Sequence, residues 1–367
     1  MSGVPIAKPA SRAILYVAYP LLPVSESSSG GAEQVLVNLE RKLAHQGWST
    51  TVAACSGSQA CGEIFATGAA GVGALDTAQA YEQQHAGKIL ELISVREAIG
   101  RIFELVHDHS GSFFEHASEC KAPVLATLHL PRAFYSPGFF TKAPENLFFN
   151  CVSASQAADF ADVPQMLGPV TNGISLERFK LESRKQNYLL WLGRICQEKG
   201  THIALDIAEK AGMPIVIAGK VYPLAYHQRY FEREIIPRLE RMGAQAHFVE
   251  SPSFTDKVSL LQGARSVLIP SLAEETSSLV AMEAAACGTP VIAFRRGALS
   301  EVVQQDETGL LVNDMEQMIQ AVARVGRIKP RTCHEHAQQN FSARRMAREY
   351  AQLYETVLSR KVQLQAV

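Results

Sequence analysis

Glu274-Glu275-Thr276-Ser277-Ser278-Leu279-Val280-Ala281-Met282-Glu283-Ala284-Ala285-Ala286-Cys287-Gly288-Thr289-Pro290-Val291-Ile292-Ala293 holds a helix and a strand in one run. The apolar, alanine-rich stretch Leu279–Cys287 predicts the helix. Pro290–Phe294 predicts a buried strand. A further apolar run, Ser266–Ile269, reads as the strand before the helix. Strand, helix and strand in that order make a βαβ unit, and hence a parallel sheet. Two carboxylates stand out. Glu283 lies inside the apolar helix, where a carboxylate is costly unless it is paired or hydrogen-bonded. A vicinal diol such as a ribose suits it, because a carboxylate accepts two O–H bonds at once. Pairing with Arg295 or Arg296 is the plainer alternative. Glu275 falls in the loop before the helix, whose N-terminus can itself take phosphate.

The same rhythm extends outward in both directions. Before this unit, Tyr188–Leu192, Pro214–Ala218 and Ala246–Val249 read as strands. His202–Ala211, Tyr230–Met242 and Lys257–Gly263 read as helices. The first half repeats the alternation. Ala13–Tyr19, Thr50–Ala54, Leu105–Asp108, Val124–Leu128 and Asn150–Ser153 read as strands, and Ala32–Gln46 and Tyr81–Ile99 as helices. Gly57–Thr77 is weakly patterned and reads mostly as loop. Gly168–Gln186, with Pro169, Asn172-Gly173 and a charged run, is the expected boundary. The predicted units are 1–170, 171–341 and a closing amphipathic helix in 342–367, with Met346, Tyr350, Leu353, Tyr354 and Val357 on one face.

Bulk properties agree with two α/β domains. The chain has 367 residues, 47% apolar and 19% charged, an ordinary globular balance. A net charge of −1 offers no basic excess for a nucleic acid partner. Seven cysteines without a C-x-x-C pair read as reduced, mostly buried thiols of a cytoplasmic protein. Lys8 and Arg12 before the apolar run Ala13–Val24 imitate a signal peptide, but two prolines interrupt the run and no small-residue cleavage site follows, so a buried first strand is expected. No run approaches the roughly 20 residues needed to span a bilayer.

Two more loops carry chemistry. Ser28-Ser29-Gly30-Gly31-Ala32-Glu33 lies between a strand and a helix. Its glycines allow close approach of a ligand to the backbone, and the helix N-terminus offers N–H groups to an anion. Gly193-Arg194-Ile195-Cys196-Gln197-Glu198-Lys199-Gly200 lies at the next strand end, where Arg194 and Lys199 can converge on one anion. His129 ends an apolar strand, and a hydrogen-bonded core histidine is its alternative reading. His107-Asp108-His109, with Glu115 and His116 nearby, is expected to line a cleft. The two histidines are expected on opposite sides of their strand, which speaks against one shared metal. Cys333-His334-Glu335-His336 reads as a solvated helix face.

Taken together, these segments resemble the family 4 glycosyltransferases of the GT-B fold, over nearly the whole chain. The resemblance includes Gly30-Gly31-Ala32-Glu33, Asn172-Gly173-Ile174 with Phe179, Gly193-Arg194, Lys199-Gly200, Glu275 with Glu283, Ala284 through Ala293, and Gly309-Leu310-Leu311-Val312. It implies two Rossmann-like domains facing a cleft, with the C-terminal helix crossing back to the first. It further implies transfer from a nucleoside diphosphate sugar to an acceptor hydroxyl, with retention and without a metal or other cofactor. The donor is then expected on Gly30, Gly31, Arg194, Lys199, Ser278, Leu279 and Glu283, with the nucleobase near Phe248–Ser251. His129 and Glu275 are expected at the reaction centre, and Asp108 near the acceptor. The acceptor can be a saccharide, a lipid-linked sugar or a small molecule, and membrane association stays open. A nucleotide-sugar 2-epimerase of the same fold, or an inactive binding protein, are the alternatives. One departure bears on the last. Thr276-Ser277-Ser278 stands where the family usually has Pro-Phe-Gly, and Ser278 is costly there if the position needs a positive φ.

Overall fold

The computed structural model describes residues 12–28, 30–71 and 78–365. Twelve strands among them form two six-stranded parallel sheets. The first contains β1 (Ala13–Val17), β2 (Ser49–Ala54), β3 (Glu63–Ala66), β4 (Leu105–Asp108), β5 (Val124–Leu128) and β6 (Leu147–Cys151). The second contains β7 (Leu189–Arg194), β8 (Ile215–Lys220), β9 (Ala246–Glu250), β10 (Ser266–Ile269), β11 (Val291–Phe294) and β12 (Gly309–Val312). The spatial orders are β3-β2-β1-β4-β5-β6 and β12-β11-β10-β7-β8-β9. Counted from its own first strand, the second sheet repeats the order of the first. Each is the doubly wound arrangement, whose switch point lies between its first and fourth strands.

Both faces of the sheets are covered at their centres, and strands there such as β1 and β11 are apolar throughout. Along β1, Leu15 and Val17 face one core cluster while Ile14 and Tyr16 face another. The second cluster is closed by the helix Gly31–Ala44 and by the C-terminal helix Ala343–Gln365, whose Met346, Tyr350, Tyr354 and Val357 are wholly buried in it. The chain therefore crosses between the halves twice. The crossings run side by side: Ile174 N–H donates to Phe341 O at 2.8 Å, and Ala343 N–H to Ile174 O at 2.9 Å. Gly173 lies against this pair, where a Cβ would stand 2.6 Å from Ser342 O.

Several expectations change. Gly57–Thr77 contains a strand, β3, on the sheet edge. Its alternation is short and half-exposed, and its backbone is organised from outside, by Glu40 accepting from Cys61 N–H and Gly62 N–H. Residues 72–77 of that stretch, like residues 1–11 of the leader-like run, lie outside the described residues. The last strand of the first sheet starts at Leu147, ahead of Asn150. Tyr230–Met242 belongs to a longer helical run from Ala225 with a π-turn at Phe231–Ile235. Pro237, which would clash with the carbonyl four residues back, accounts for the bulge. Finally, His334 and His336 are half-buried and do not form a free solvated face. They bond to Ala286 O at 2.6 Å and Val302 O at 3.3 Å, docking their helix onto the second half.

Candidate functional site

The loops singled out by sequence converge on the two switch points. Gly30 and Gly31 follow β1. Arg194 ends β7, with Lys199 just beyond, and Glu275 follows β10. In open α/β sheets this crevice at the carboxyl ends of the strands is where ligands bind.

Two glycines have specific reasons. Gly30 caps its helix with an ordinary φ of −86°, so it is not selected by backbone freedom. A Cβ there would collide with the Glu33 carboxylate instead. Glu33 is buried, and burial pushes its carboxyl up to about 7. Gly200 adopts φ +66° with Pro270 O directly above it, so it needs both the freedom and the space.

On the second half, the two cations sit on different carboxylates. Lys199 Nζ donates to both oxygens of Glu275, at 2.7 and 2.8 Å. Ser271 Oγ donates to the same carboxylate, which is 9% exposed. Arg194 is half-exposed, 3.9 Å from Glu198. Glu283 pairs with Lys257 Nζ at 2.7 Å, and not with Arg295 or Arg296. It lines a crevice with Asn38, Arg178 and Phe254, where the Arg178 guanidinium lies 3.5 Å over the Phe254 ring. Ser278 has φ −142°, so the serine carries no backbone strain. It caps the helix Leu279–Ala286 through Ala281 N–H at 3.4 Å. Leu279 packs against the cores of both halves, beside Gly31. At the end of β9, Ser251 holds φ +48°, a conformation rare outside glycine.

The loop that carries Glu275 is tied to the backbone of His129 by its next residue: Thr276 Oγ1 donates to His129 O at 2.8 Å. The main chain on either side of His129 is gripped by Gln156, whose Nε2 donates to Leu128 O at 3.0 Å and Leu130 O at 2.9 Å. Glu301 of the second half accepts from Ala154 N–H and Ser155 N–H at 2.9 and 2.6 Å, fixing the short helix that carries Gln156. Sequence reasoning missed Gln156, Glu301 and the contact made by Thr276. The departure of Thr276-Ser277-Ser278 from the usual pattern was the signal for the last. Burial holds the His129 imidazole at about 4, neutral near pH 7.

Two expectations on β4 are corrected. His107 and His109 point to the same side, with ring centroids 4.1 Å apart, because residues two apart on a strand share a face. Asp108 turns the other way into the core. Its carboxylate accepts from Ser110 N–H at 2.7 Å, Ser110 Oγ at 2.6 Å and Phe114 N–H at 2.9 Å, so it organises the turn 110–114 and faces no cleft. Burial raises it to about 6 against these bonds. Among the described residues, Cys196, Glu198 and His227 offer ligating atoms within 4.8 Å of one another. Neither buried ring nitrogen of His227 has a hydrogen-bond partner. Arg194 stands beside the same carboxylate, and its charge opposes a metal cation there.

Residues 186–327 match the family described as glycosyl transferases group 1. A D-inositol 3-phosphate glycosyltransferase of Saccharomonospora viridis is 29% identical over 240 residues, covering 57% of this chain and 54% of the relative. An O-antigen chain mannosyltransferase C of Escherichia coli is 28% identical over 192 residues, covering 49% of each. The chain thus spans about half the length of these curated relatives. Among solved structures, sucrose-phosphate synthase from Thermosynechococcus elongatus superposes with a TM-score of 0.78 at 19% identity, covering 95% of this chain and 99% of that one. Anabaena HepE in complex with UDP-glucose superposes with a TM-score of 0.72 at 16% identity, covering 94% and 99%. The fold shared with them is GT-B. Among the described residues, no helix is long and apolar enough to cross a membrane.

Proposed function

We propose that the chain, whose residues 186–327 match the group 1 glycosyl transferases, moves a sugar from a nucleoside diphosphate sugar to an acceptor hydroxyl with retention. The observation that carries the reading is the Thr276–His129 hydrogen bond. It ties the loop that carries Glu275 to the backbone of His129 across the cleft, which supports placing both residues at the reaction centre. Solved structures of the fold hold UDP-glucose, and ADP with acarbose, which supports a nucleotide-sugar donor.

Chemically, the leaving diphosphate needs positive charge and fixed dipoles. Arg194 is accessible for this, and Lys199 exchanges its Glu275 partner for a phosphate oxygen. Glu283, held by Lys257, accepts the ribose hydroxyls. Glu275 and His129 then flank the hexose, and closure of the halves excludes water from the activated sugar. Protein cations take the place of a metal, so turnover should survive EDTA; loss on chelation, restored by Mg²⁺ or Mn²⁺, would contradict this. The absence of backbone strain at Ser278 removes the main argument for an inactive protein.

The test is a thermal-shift screen of UDP-, GDP-, dTDP- and ADP-sugars, followed by product analysis with and without candidate acceptors. One donor should stabilise the protein and lose its sugar to a hydroxyl. A donor that is interconverted without any acceptor would make the chain an epimerase. Stabilisation by none of the four would overturn the reading.

A further inference from the structure

Behind His129 runs a chain of buried hydrogen bonds whose direction can be worked out from one end. Asn150 on β6 sets it. Its Nδ2 donates to Cys151 O at 3.2 Å and Tyr350 Oη at 3.3 Å, so its Oδ1 is the atom facing Thr127. An inverted amide would set two oxygens against each other. Thr127 Oγ1 therefore spends its proton on Asn150 Oδ1, at 2.7 Å, and can only accept from its other neighbours. One of these is His107 Nε2, at 2.7 Å, which must carry a proton. Burial keeps His107 neutral, so its Nδ1 holds the lone pair and accepts from Tyr354 Oη at 2.7 Å.

His109 Nε2 faces this same Nδ1 at 3.3 Å. Two lone pairs would repel there, so His109 Nε2 carries its proton. Burial keeps this ring neutral too, and its Nδ1 is left as an acceptor. That acceptor lies 2.9 Å from His129 Nε2, which must then be the donor. The protons of three neutral imidazoles thus all stand on Nε2, and the chain runs one way, from His129 inward.

We propose that this chain fixes His129 as its Nε2–H tautomer, so that the atom left for a ligand is the Nδ1 lone pair. An acceptor nitrogen takes a hydroxyl group and repels a phosphate oxygen. Its partner is therefore an O–H of the sugar, a step that rests on the reading of His129 given above. His107 and His109 are positioning residues: they touch no substrate and set the face that His129 presents.

Proton–nitrogen NMR of the histidine rings in the full chain reads the tautomer without turnover. The His129 signal is identified by its loss in His129→Gln. A proton on Nε2 is expected; a proton on Nδ1, or exchange between the two forms, overturns the inference. A second arm compares His109→Leu, which can neither donate nor accept, with His109→Gln, which can do both. With the best donor, His109→Leu should lower kcat about 10–100-fold, the range typical for a lost orienting partner. The donor KM should stay close to wild type, and His109→Gln should recover most of the loss. Unchanged kcat in folded His109→Leu overturns the positioning role. If that variant does not fold, Thr127→Val replaces it, since it frees the His107 tautomer at the anchor and should put His129 into exchange. Because the tautomer is read in the absence of donor, a chain with the expected signature and no turnover counts against the proposed function and not against this assignment.

Discussion

Glu275 and Lys199 are tied to each other by two hydrogen bonds, which sharpens what each substitution should do. Glu275→Gln removes the charge that holds Lys199 and leaves the lysine to a phosphate. Nucleoside diphosphate affinity should therefore be unchanged or tighter, while transfer is lost. Titration calorimetry beside a turnover assay decides it, and nucleotide binding lost along with transfer would be the contrary result. Lys199→Ala should weaken nucleotide by about 1–3 kcal/mol, as a lost charged hydrogen bond does. Glu33 gives a second prediction. Its carboxyl is raised from 4.5 to about 7 by burial. Below 4.5 it is protonated in the folded and unfolded chain alike. Between 4.5 and about 7 the unfolded chain ionises first, so its share of the stability is lost as pH rises. Glu33→Gln should flatten that decline, by up to about 3 kcal/mol across the window, in urea unfolding followed as a function of pH. Parallel curves for variant and wild type would show that Glu33 is not buried as a neutral acid. The wholly buried Asp108 shows what residue-level reading misses. Its neighbours His107 and His109 advertised a polar site, yet its oxygens serve the backbone N–H groups of Ser110, an Asx-turn spacing, and of Phe114.

The helix Leu279–Ala286 carries the clearest division of labour. Glu275 lies in the loop before its first turn, held by Lys199, and Glu283 within the helix, held by Lys257, so each carboxylate is expected to serve its own part of an extended ligand. Glu283→Gln should weaken nucleoside diphosphate and intact donor alike. Equal losses from Glu275→Gln would erase the distinction. At the neighbouring element, Gly200→Ala forces a Cβ against a backbone oxygen that has no side chain to move. With φ at +66° the substitution is strained twice, and about 1–3 kcal/mol of stability should be lost in chemical unfolding. The helix and its strand were legible because their apolar runs are local. β3 was not, because an edge strand of four residues exists only by pairing with β2.

The halves meet through polar contacts at the mouth of the cleft, through Leu279 packed on both cores, and through paired crossings at its base. Glu301→Ala together with Thr276→Val removes the bonds of Glu301 and Thr276 across the cleft and leaves both cores intact. The double variant should show a larger radius of gyration by small-angle scattering and a lower kcat, with nucleotide affinity nearly unchanged. An identical scattering curve would assign the arrangement of the halves to the crossings and the remaining contacts, Leu279 and the Lys42–Glu177 pair among them.

Apolar periodicity and the loops between elements were enough to determine the two parallel α/β sheets, the positions of the glycine and cation loops, and the two glutamates, because those features depend on residues close in the chain. The partners of the site residues were decided only by the tertiary structure. Lys199 with Glu275, Lys257 with Glu283, Thr276 with His129, and Asn150 with the histidine chain all join segments far apart in sequence. Which cation meets which carboxylate depends on how strand ends are stacked side by side, and a linear sequence carries no distance across a sheet.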